Sequence, residues 1–208
     1  MSSTNGSDPS PFPPVAYLKP HQVADLRHGC YQNDRPRADQ VRTEALVQLR
    51  YDTGLHLSEA LKITWGWVDL DEQTLTAPAS SLRSTTDEET DAYSFELSDD
   101  TVRVLSAHRQ NRLGRDHKPV FTGPKGGQLP GDIARNAISN AAEAMEIRPH
   151  RVAETRCGSG EFPPQLLRNS LAYKMLTIEN RSISEVSHFL RHSDEITTSY
   201  MYRVWQNR

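Results

Sequence analysis

The sequence predicts an α+β domain that is mainly helical and carries a small antiparallel β-sheet. Apolar residues recur at helical spacing in the first and last parts of the chain, whereas residues 64–97 alternate with a period of two. Helices therefore precede and follow a group of strands, without an internal repeat and without the strand–helix alternation of a parallel sheet. The 208 residues suit one domain with a sizeable core.

The first part of the chain is expected to hold a tail and three helices. Residues 1–16 form the tail, because their Ser, Asn, Asp, Gly and Pro content leaves too little apolar surface to bury, and residues 17–208 form the domain. An early proline opens a helix over 19–27. Helical spacing predicts a second helix over 38–51, which a Thr-Gly pair ends, and a short third helix over 57–63.

The middle of the chain is expected to form the sheet. Residues 64–70, 73–77 and 92–97 alternate between apolar and polar side chains, as half-buried strands do. A polar, acidic loop over 80–90 connects the last two of them. Residues 119–122 predict one more short strand, followed by a glycine-rich turn.

The rest of the chain is expected to be helical. Two aspartates open a helix over 99–112, and an alanine-rich helix follows over 131–145. Residues 148–164 predict an irregular segment. Three further helices end the chain, over 165–176, 182–190 and 195–202.

Charge is distributed unevenly along the chain. The net charge is −3, but residues 1–100 sum to −9 and residues 101–208 to +6. This asymmetry favours one basic face of the kind that a phosphate backbone needs. The alternative is a chance segregation of solvated charges.

Cysteine usage and hydropathy predict a cytoplasmic protein. Cys30 and Cys157 have neither the number nor the spacing of a disulfide framework or a metal site, so both are expected to be reduced thiols. No apolar run reaches the length of a membrane span, and no basic-then-apolar signal opens the chain. We therefore expect no membrane association.

Three chemically active residue types follow one another on the last predicted helices. Arg168 ends the motif Gln165-Leu-Leu-Arg, His192 follows Leu-Arg, and Tyr200 and Tyr202 come shortly after. A guanidinium binds phosphate through two parallel hydrogen bonds, and a histidine can add another. A phenol oxygen can attack the phosphorus atom. The sequence therefore predicts a site for a phosphodiester.

Together with Tyr51-Asp-Thr-Gly-Leu-His56, these motifs resemble the catalytic domain of the tyrosine recombinase (phage integrase) family, over about residues 18–204. The resemblance implies a DNA-binding protein of recombination or integration, with double-stranded DNA and other recombinase subunits as partners. It implies no cofactor and no metal, because in this family two arginines and one or two histidines clamp the phosphate. A lysine on a β-hairpin protonates the 5′-hydroxyl, and the tyrosine becomes linked to the 3′-phosphate.

Three residues carry over directly. Arg168 takes the place of the second arginine, and His192 that of the histidine of Leu-Arg-His-Ser. The pattern Thr-Thr-x-x-x-Tyr, associated with integrase-like proteins of salt-loving archaea, makes Tyr202 the nucleophile, with Tyr200 as the alternative. His188 lies one turn before His192, and the pair could also bind zinc, but no third ligand accompanies them.

Three positions depart from the family pattern. His56 stands at the first arginine, Gln165 at the histidine of His-x-x-Arg, and Arg83 at the lysine. A histidine cannot grip two phosphate oxygens, a glutamine cannot exchange a proton, and an arginine is a poor general acid. The three departures together predict a degenerate active site with weak or lost strand transfer.

Two other functions stay open. The resemblance covers the catalytic domain alone, so we expect no N-terminal DNA-clamping domain of the kind that most integrases carry; fimbrial invertases of this family make do with little more than the catalytic domain. An active minimal recombinase with a 3′-phosphotyrosyl intermediate is therefore the first alternative. A protein-interaction scaffold without enzymatic activity is the second, which the acidic first half permits and the basic second half disfavours.

Overall fold

The computed structural model describes residues 15–83, 91–110, 118–151, 162–163, 165–192 and 195–206. Within these ranges the chain forms the predicted α+β domain, in which helices precede and follow the strands of a small antiparallel sheet along the sequence. None of the helices in these ranges is long and apolar enough to cross a membrane. The predicted Cys157 thiol and the loop at 84–90 lie outside the described residues, and Cys30 is a buried free thiol.

Three helices form the N-terminal part of the domain: α1 (Pro20–Gly29), α2 (Arg37–Thr53) and α3 (Leu57–Ala60). Helix α2 is central, because its last thirteen positions are buried apart from Asp52, and it packs against helices on several sides. It ends at Gly54, which adopts the left-handed conformation (φ 65°) that glycine tolerates best. This turn directs the chain into α3.

The three-stranded sheet consists of β2 (Val68–Asp69), β3 (Thr74–Pro78) and β4 (Ala92–Glu96), all antiparallel. The prediction of a strand over 64–70 is wrong for its first half, where Trp65–Trp67 form a 3₁₀ turn. The amide of Trp67 donates to the carbonyl of Thr64 at 3.1 Å, and the buried Trp65 amide donates to Lys118 at 3.2 Å. The alternating side chains therefore belong to a turn anchored in the core.

Two helices follow the sheet: α4 (Asp99–Gln110) and α5 (Gly131–Ala144). The predicted strand over 119–122 is wrong, because Pro119 and Thr122 make only isolated bridges, to Thr64 and Gln128. Pro119 has no amide hydrogen to donate to a ladder. The end of the predicted helix at 111–112 lies outside the described residues.

A second, two-stranded sheet was not predicted. Strand β1 (Ala16–Tyr17) pairs with β5 (His150–Arg151), inside the segment expected to be irregular. Val15 and Ala16 are buried, so the structured domain begins within the expected tail. The Tyr17 ring stacks on His150 at 5.4 Å, and such two-residue strands leave no periodic signal in a sequence.

The C-terminal part comprises α6 (Leu166–Tyr173), α7 (Ile183–Phe189) and α8 (Glu195–Gln206). Helix α6 continues into a π-helical turn over Lys174–Ile178. Helix α8 is docked within the chain, because Met201 and Trp205, one turn apart, are both buried. The Trp205 indole meets the ring of Tyr17 edge-on at 5.3 Å.

Candidate active site

Arg168 joins the ends of two helices. Its side chain lies on α6 and is buried, with 4% of its surface exposed. Nη1 donates to the carbonyl oxygen of Gly54 at 2.8 Å, just beyond α2, and Nη2 donates to the carbonyl of Leu190, just beyond α7. The guanidinium therefore lies between the loop that holds His56 and the turn that holds His192.

Glu59 connects three further segments. Its Oε2 accepts hydrogen bonds from the His56 amide at 2.7 Å and from Nη2 of Arg191 at 3.2 Å. Its Oε1 accepts from the Arg83 amide at 2.7 Å. The Glu59 and Arg191 side chains are each 2% exposed, so they form a buried ion pair. The α3 start, the connection between β3 and β4, and the α7–α8 turn are thereby held around one carboxylate.

His56 is uncharged at neutral pH in this environment. Its pKa is lowered to about 4, first by burial and then by the positive charge of Arg168. Glu59 opposes this shift, while the charges of Arg83 and Arg191 add to it. An imidazole whose neighbours are mainly cations resists protonation. His56 therefore does not supply the positive charge that an arginine at this position would carry.

Two arginines at the centre of the site hold their protons less firmly than usual. Burial lowers the pKa of Arg168 to about 10, and the charge of Arg191 acts in the same direction. Burial is also the main cause of the lowered pKa of Arg191, while Glu59 opposes the shift. Both guanidiniums remain charged at neutral pH. A nearby anion would relieve their repulsion.

His192 is oriented by the last helix. Its Nδ1 lies 2.8 Å from the hydroxyl of Thr198, a fully buried residue of α8. Its backbone amide also donates to the carbonyl of Ser187 at 3.0 Å. The ring is therefore held between α7 and α8, with Nε2 as the nitrogen that this contact does not use.

The two candidate tyrosines lie on different sides of α8. Tyr202 follows Thr198 by four residues, so both lie on one side of the helix, toward His192. Its phenol oxygen accepts a hydrogen bond from the side chain of Gln206. Tyr200 follows Thr198 by only two residues and lines a surface cleft with Arg203. The phase of the helix therefore favours Tyr202 over Tyr200.

The remaining predicted residues lie at the margin of the site. The Arg83 backbone is fixed by Glu59, but its side chain is exposed. Gln165 immediately precedes α6 with an exposed side chain, almost one turn before Arg168. His188 is exposed, and the described residues contain no group of three or more side chains that could hold a metal ion.

Two residues of the site were missed by sequence reasoning. No role in the site was predicted for Glu59, and Arg191 stood only as part of the motif Leu-Arg-His-Ser. The spacing contained a partial signal, because Glu59 lies one helical turn after His56 and Arg191 adjoins His192. Their contact with each other joins positions 132 residues apart, which local patterns do not reveal.

The small sheet flanked by helices, with a buried arginine cluster beside a histidine and a C-terminal helix with tyrosines, defines a DNA-recombinase type of catalytic domain. The Phage integrase family model matches residues 16–207, and the chain belongs to this family. The family is thus the tyrosine recombinase family that the motifs resemble.

The similar proteins with curated functions are recombinases. The chain is 28% identical over 162 residues to tyrosine recombinase XerC of Xylella fastidiosa (strain 9a5c), which covers 78% of this chain and 48% of that protein. It is also 28% identical over 158 residues to XerC of Xanthomonas campestris pv. campestris (strain B100), covering 76% and 43%. The chain thus spans about half the length of the curated relatives it matches.

Solved structures share the fold. XerA recombinase superimposes with a TM-score of 0.68 and 18% identity, covering 94% of this chain and 61% of XerA. XerH site-specific recombinase, in its pre-cleavage complex with difH substrate, gives a TM-score of 0.65 and 16% identity, covering 92% and 50%. At 18% and 16% identity, these two comparisons show that the fold is shared.

Proposed function

We propose that this protein is a cytoplasmic DNA-binding protein of recombination or integration whose strand-transfer activity is weak or lost. The observation that carries the proposal is the buried cluster around Glu59, which places the charged Arg168 and Arg191 beside a neutral His56. Double-stranded DNA is the ligand, and other recombinase subunits are the protein partners.

DNA binding is supported by the charge of the arginine cluster around Glu59. Arg168 and Arg191 are both buried, and Glu59 is the carboxylate that they share. Buried positive charge favours an anionic ligand, and guanidiniums suit the phosphate group in particular. The basic second half of the sequence adds attraction at longer range.

Weak strand transfer is supported by the three departures from the family pattern, in a chain whose other motifs resemble those of integrase-like proteins of salt-loving archaea. His56 is a neutral group where the family has a guanidinium. Losing such a contact with the developing phosphate charge costs about 3–4 kcal/mol in comparable sites, or 10²–10³-fold in rate. Arg83 is a poor proton donor for the leaving oxygen, and Gln165 cannot exchange a proton.

The second candidate is an active minimal recombinase. This candidate is favoured by the position of Tyr202, which lies on the same side of α8 as Thr198, the residue that contacts His192. In that mechanism the Tyr202 oxygen bonds to phosphorus while the bond to the 5′-oxygen breaks. The 5′-oxygen then takes a proton, which leaves a 3′-phosphotyrosyl intermediate and a free 5′-hydroxyl.

Two experiments separate these functions. Duplex binding measured across a salt series should give a steep fall of log K with log salt, as phosphate neutralisation requires. Binding without such dependence, or none, would favour a non-enzymatic interaction scaffold. A nicked suicide substrate should then trap little covalent adduct. Efficient trapping by the unmodified protein would make the active recombinase the better account.

A further inference from the structure

Several buried guanidiniums lie near Glu59 among the residues that the structure describes. Three buried guanidiniums, those of Arg50, Arg168 and Arg191, all feel the charge of this one buried carboxylate. Arg50 has a structural role, since its Nε donates to the carbonyl of Leu55 at 3.3 Å. Arg168 bridges two backbone carbonyls. Arg191 is the member whose role neither the family motif nor the sequence pattern assigns.

Arg191 occupies an unusual backbone position. Its φ is 54°, in the left-handed region that disfavours residues with a β-carbon, so a glycine would fit more easily. Its guanidinium nevertheless reaches inward past the rings of Tyr93 and Phe95, at 5.5 and 5.4 Å, to bind Glu59. The chain therefore tolerates an unfavourable conformation and holds a cation at this point by three contacts.

The Arg191 guanidinium lies close to His56, where the positive charge of the family's first arginine is missing. Glu59 binds the His56 amide and the Arg191 guanidinium through the same oxygen, Oε2. The Arg191 charge is close enough to act on both His56 and Arg168. The positive charge that position 56 lacks is thus present beside the same carboxylate oxygen.

We propose that Arg191 supplies the second positive charge of the phosphate site in place of position 56, and that Glu59 positions it there. Arg191 is a positioning and electrostatic residue, acting on the phosphate through its charge. This inference rests on the proposed function, since it concerns the same site. It predicts that the charge can be moved between positions 191 and 56 without loss of phosphate binding.

The test exchanges the two charges. Arg191→Gln removes the charge but keeps a hydrogen-bond donor for Glu59. It should lower the slope of log K against log salt for duplex binding by about 1, the value expected when one phosphate charge is no longer neutralised. Adding His56→Arg to Arg191→Gln should restore the slope, and Arg191→Lys should retain it. His56→Arg in the wild-type protein should increase the slope less than it does in the Arg191→Gln variant.

A matched control removes an arginine elsewhere. Arg103 is 58% exposed and pairs with Glu44 and Asp100, outside the Glu59 cluster. Any loss caused by Arg103→Gln should not be corrected by His56→Arg. If His56→Arg raises the slope equally in the Arg191 and Arg103 backgrounds, Arg191 is not its substitute and the proposal is wrong. Thermal unfolding of every variant checks that it is folded. If Arg191→Gln alone is unfolded, the double variant His56→Arg with Arg191→Gln is compared directly with the wild type.

A DNA-independent measurement keeps the inference separate from the proposed function. Without ligand, NMR titration should find the His56 pKa of Arg191→Gln above the wild-type value of about 4, because one of the facing cations is gone while Arg168, Arg83 and Glu59 remain. Inorganic phosphate should perturb the His56 signal less strongly in Arg191→Gln. An unchanged pKa and unchanged phosphate affinity would overturn the inference. Failure of the wild type to bind duplex DNA would instead overturn the proposed function.

Discussion

Arg168 and Gly54 lie 114 positions apart in the sequence, and Nη1 of the arginine donates to the glycine carbonyl at 2.8 Å. This contact fixes the turn between α2 and α3, whose C-terminal side carries His56. A β-carbon on Gly54 would lie 2.6 Å from Cδ2 of Leu190, the residue whose carbonyl also binds Arg168. The glycine therefore allows two loops to close around one guanidinium.

Gly54→Ala should destabilise the protein through both strain and overlap. The left-handed backbone costs an alanine about 1–2 kcal/mol, and forcing its methyl group into Leu190 adds about 1–3 kcal/mol. Gly126→Ala is the matched control, because its φ of 80° is also left-handed but a β-carbon there would meet open space. Urea unfolding should show a larger loss for Gly54→Ala. Equal losses would show that the approach to Leu190 is unimportant.

Thr198→Val should impair the site while leaving the fold nearly intact. The hydroxyl of Thr198 orients His192 through Nδ1, and valine removes it at almost constant volume. A lost buried hydrogen bond costs about 1–3 kcal/mol of unfolding free energy. We expect weaker phosphate binding with a modest fall in thermal stability. Thr198→Ser retains the hydroxyl and should bind phosphate like the wild type; equal impairment by both variants would argue against the orienting role.

Tyr202→Phe should abolish whatever covalent adduct the protein forms. Tyr202 lies on the side of α8 that contacts His192, whereas Tyr200 lines the cleft with Arg203. Removing the phenol oxygen leaves no nucleophile, so adduct on a suicide substrate should vanish even after long incubation. Tyr200→Phe provides the control and should retain the wild-type level. The opposite pattern would make Tyr200 the nucleophile.

The elements that sequence reasoning predicted are those fixed by local patterns. Helix α2 has a continuous apolar face and a terminal glycine, so both its existence and its end could be predicted. The β1–β5 pair and the 3₁₀ turn at Trp65–Trp67 depend on partners distant in the sequence, such as Lys118 for the Trp65 amide. Their local sequence is too short or too ambiguous to specify them.

The residues of the site also divide into those that local motifs predict and those that only the tertiary fold brings together. Arg168 and His192 stand in recognisable motifs, whereas the pairing of Glu59 with Arg191 arises only when α3 meets the α7–α8 turn. The uncharged state of His56 likewise depends on tertiary burial and on Arg168. The local sequence alone would leave His56 partly charged near neutrality, because a solvated imidazole titrates there.

Arg83→Lys should raise adduct formation if the leaving 5′-oxygen lacks its acid. The Arg83 backbone is held by Glu59 beside the site, so a lysine there would put a group of accessible pKa within reach of it. Arg83→Met serves as the control and should give no gain. A substrate with sulfur in place of the leaving oxygen needs no acid, so it should erase the difference between the wild type and Arg83→Lys. A persistent difference would place the role of residue 83 elsewhere.

His56 should make the protein less stable as the pH falls from about 6.5 to about 4. Its folded-state pKa is lowered to about 4 from an ordinary value near 6.5. Between these values the unfolded chain binds a proton that the folded protein does not, so the free energy of unfolding falls with falling pH and levels off below about 4. Because His56 is only partly buried and solvent screens its neighbours, we expect a loss of roughly 1–2 kcal/mol.

Urea unfolding of the wild type and His56→Gln at pH 7 and pH 4.5 measures this contribution, since the glutamine variant lacks the titrating group while the carboxylates titrate in both. The wild type should lose more stability than His56→Gln over this interval; an equal loss would mean that the imidazole is solvated and protonates normally in the folded protein.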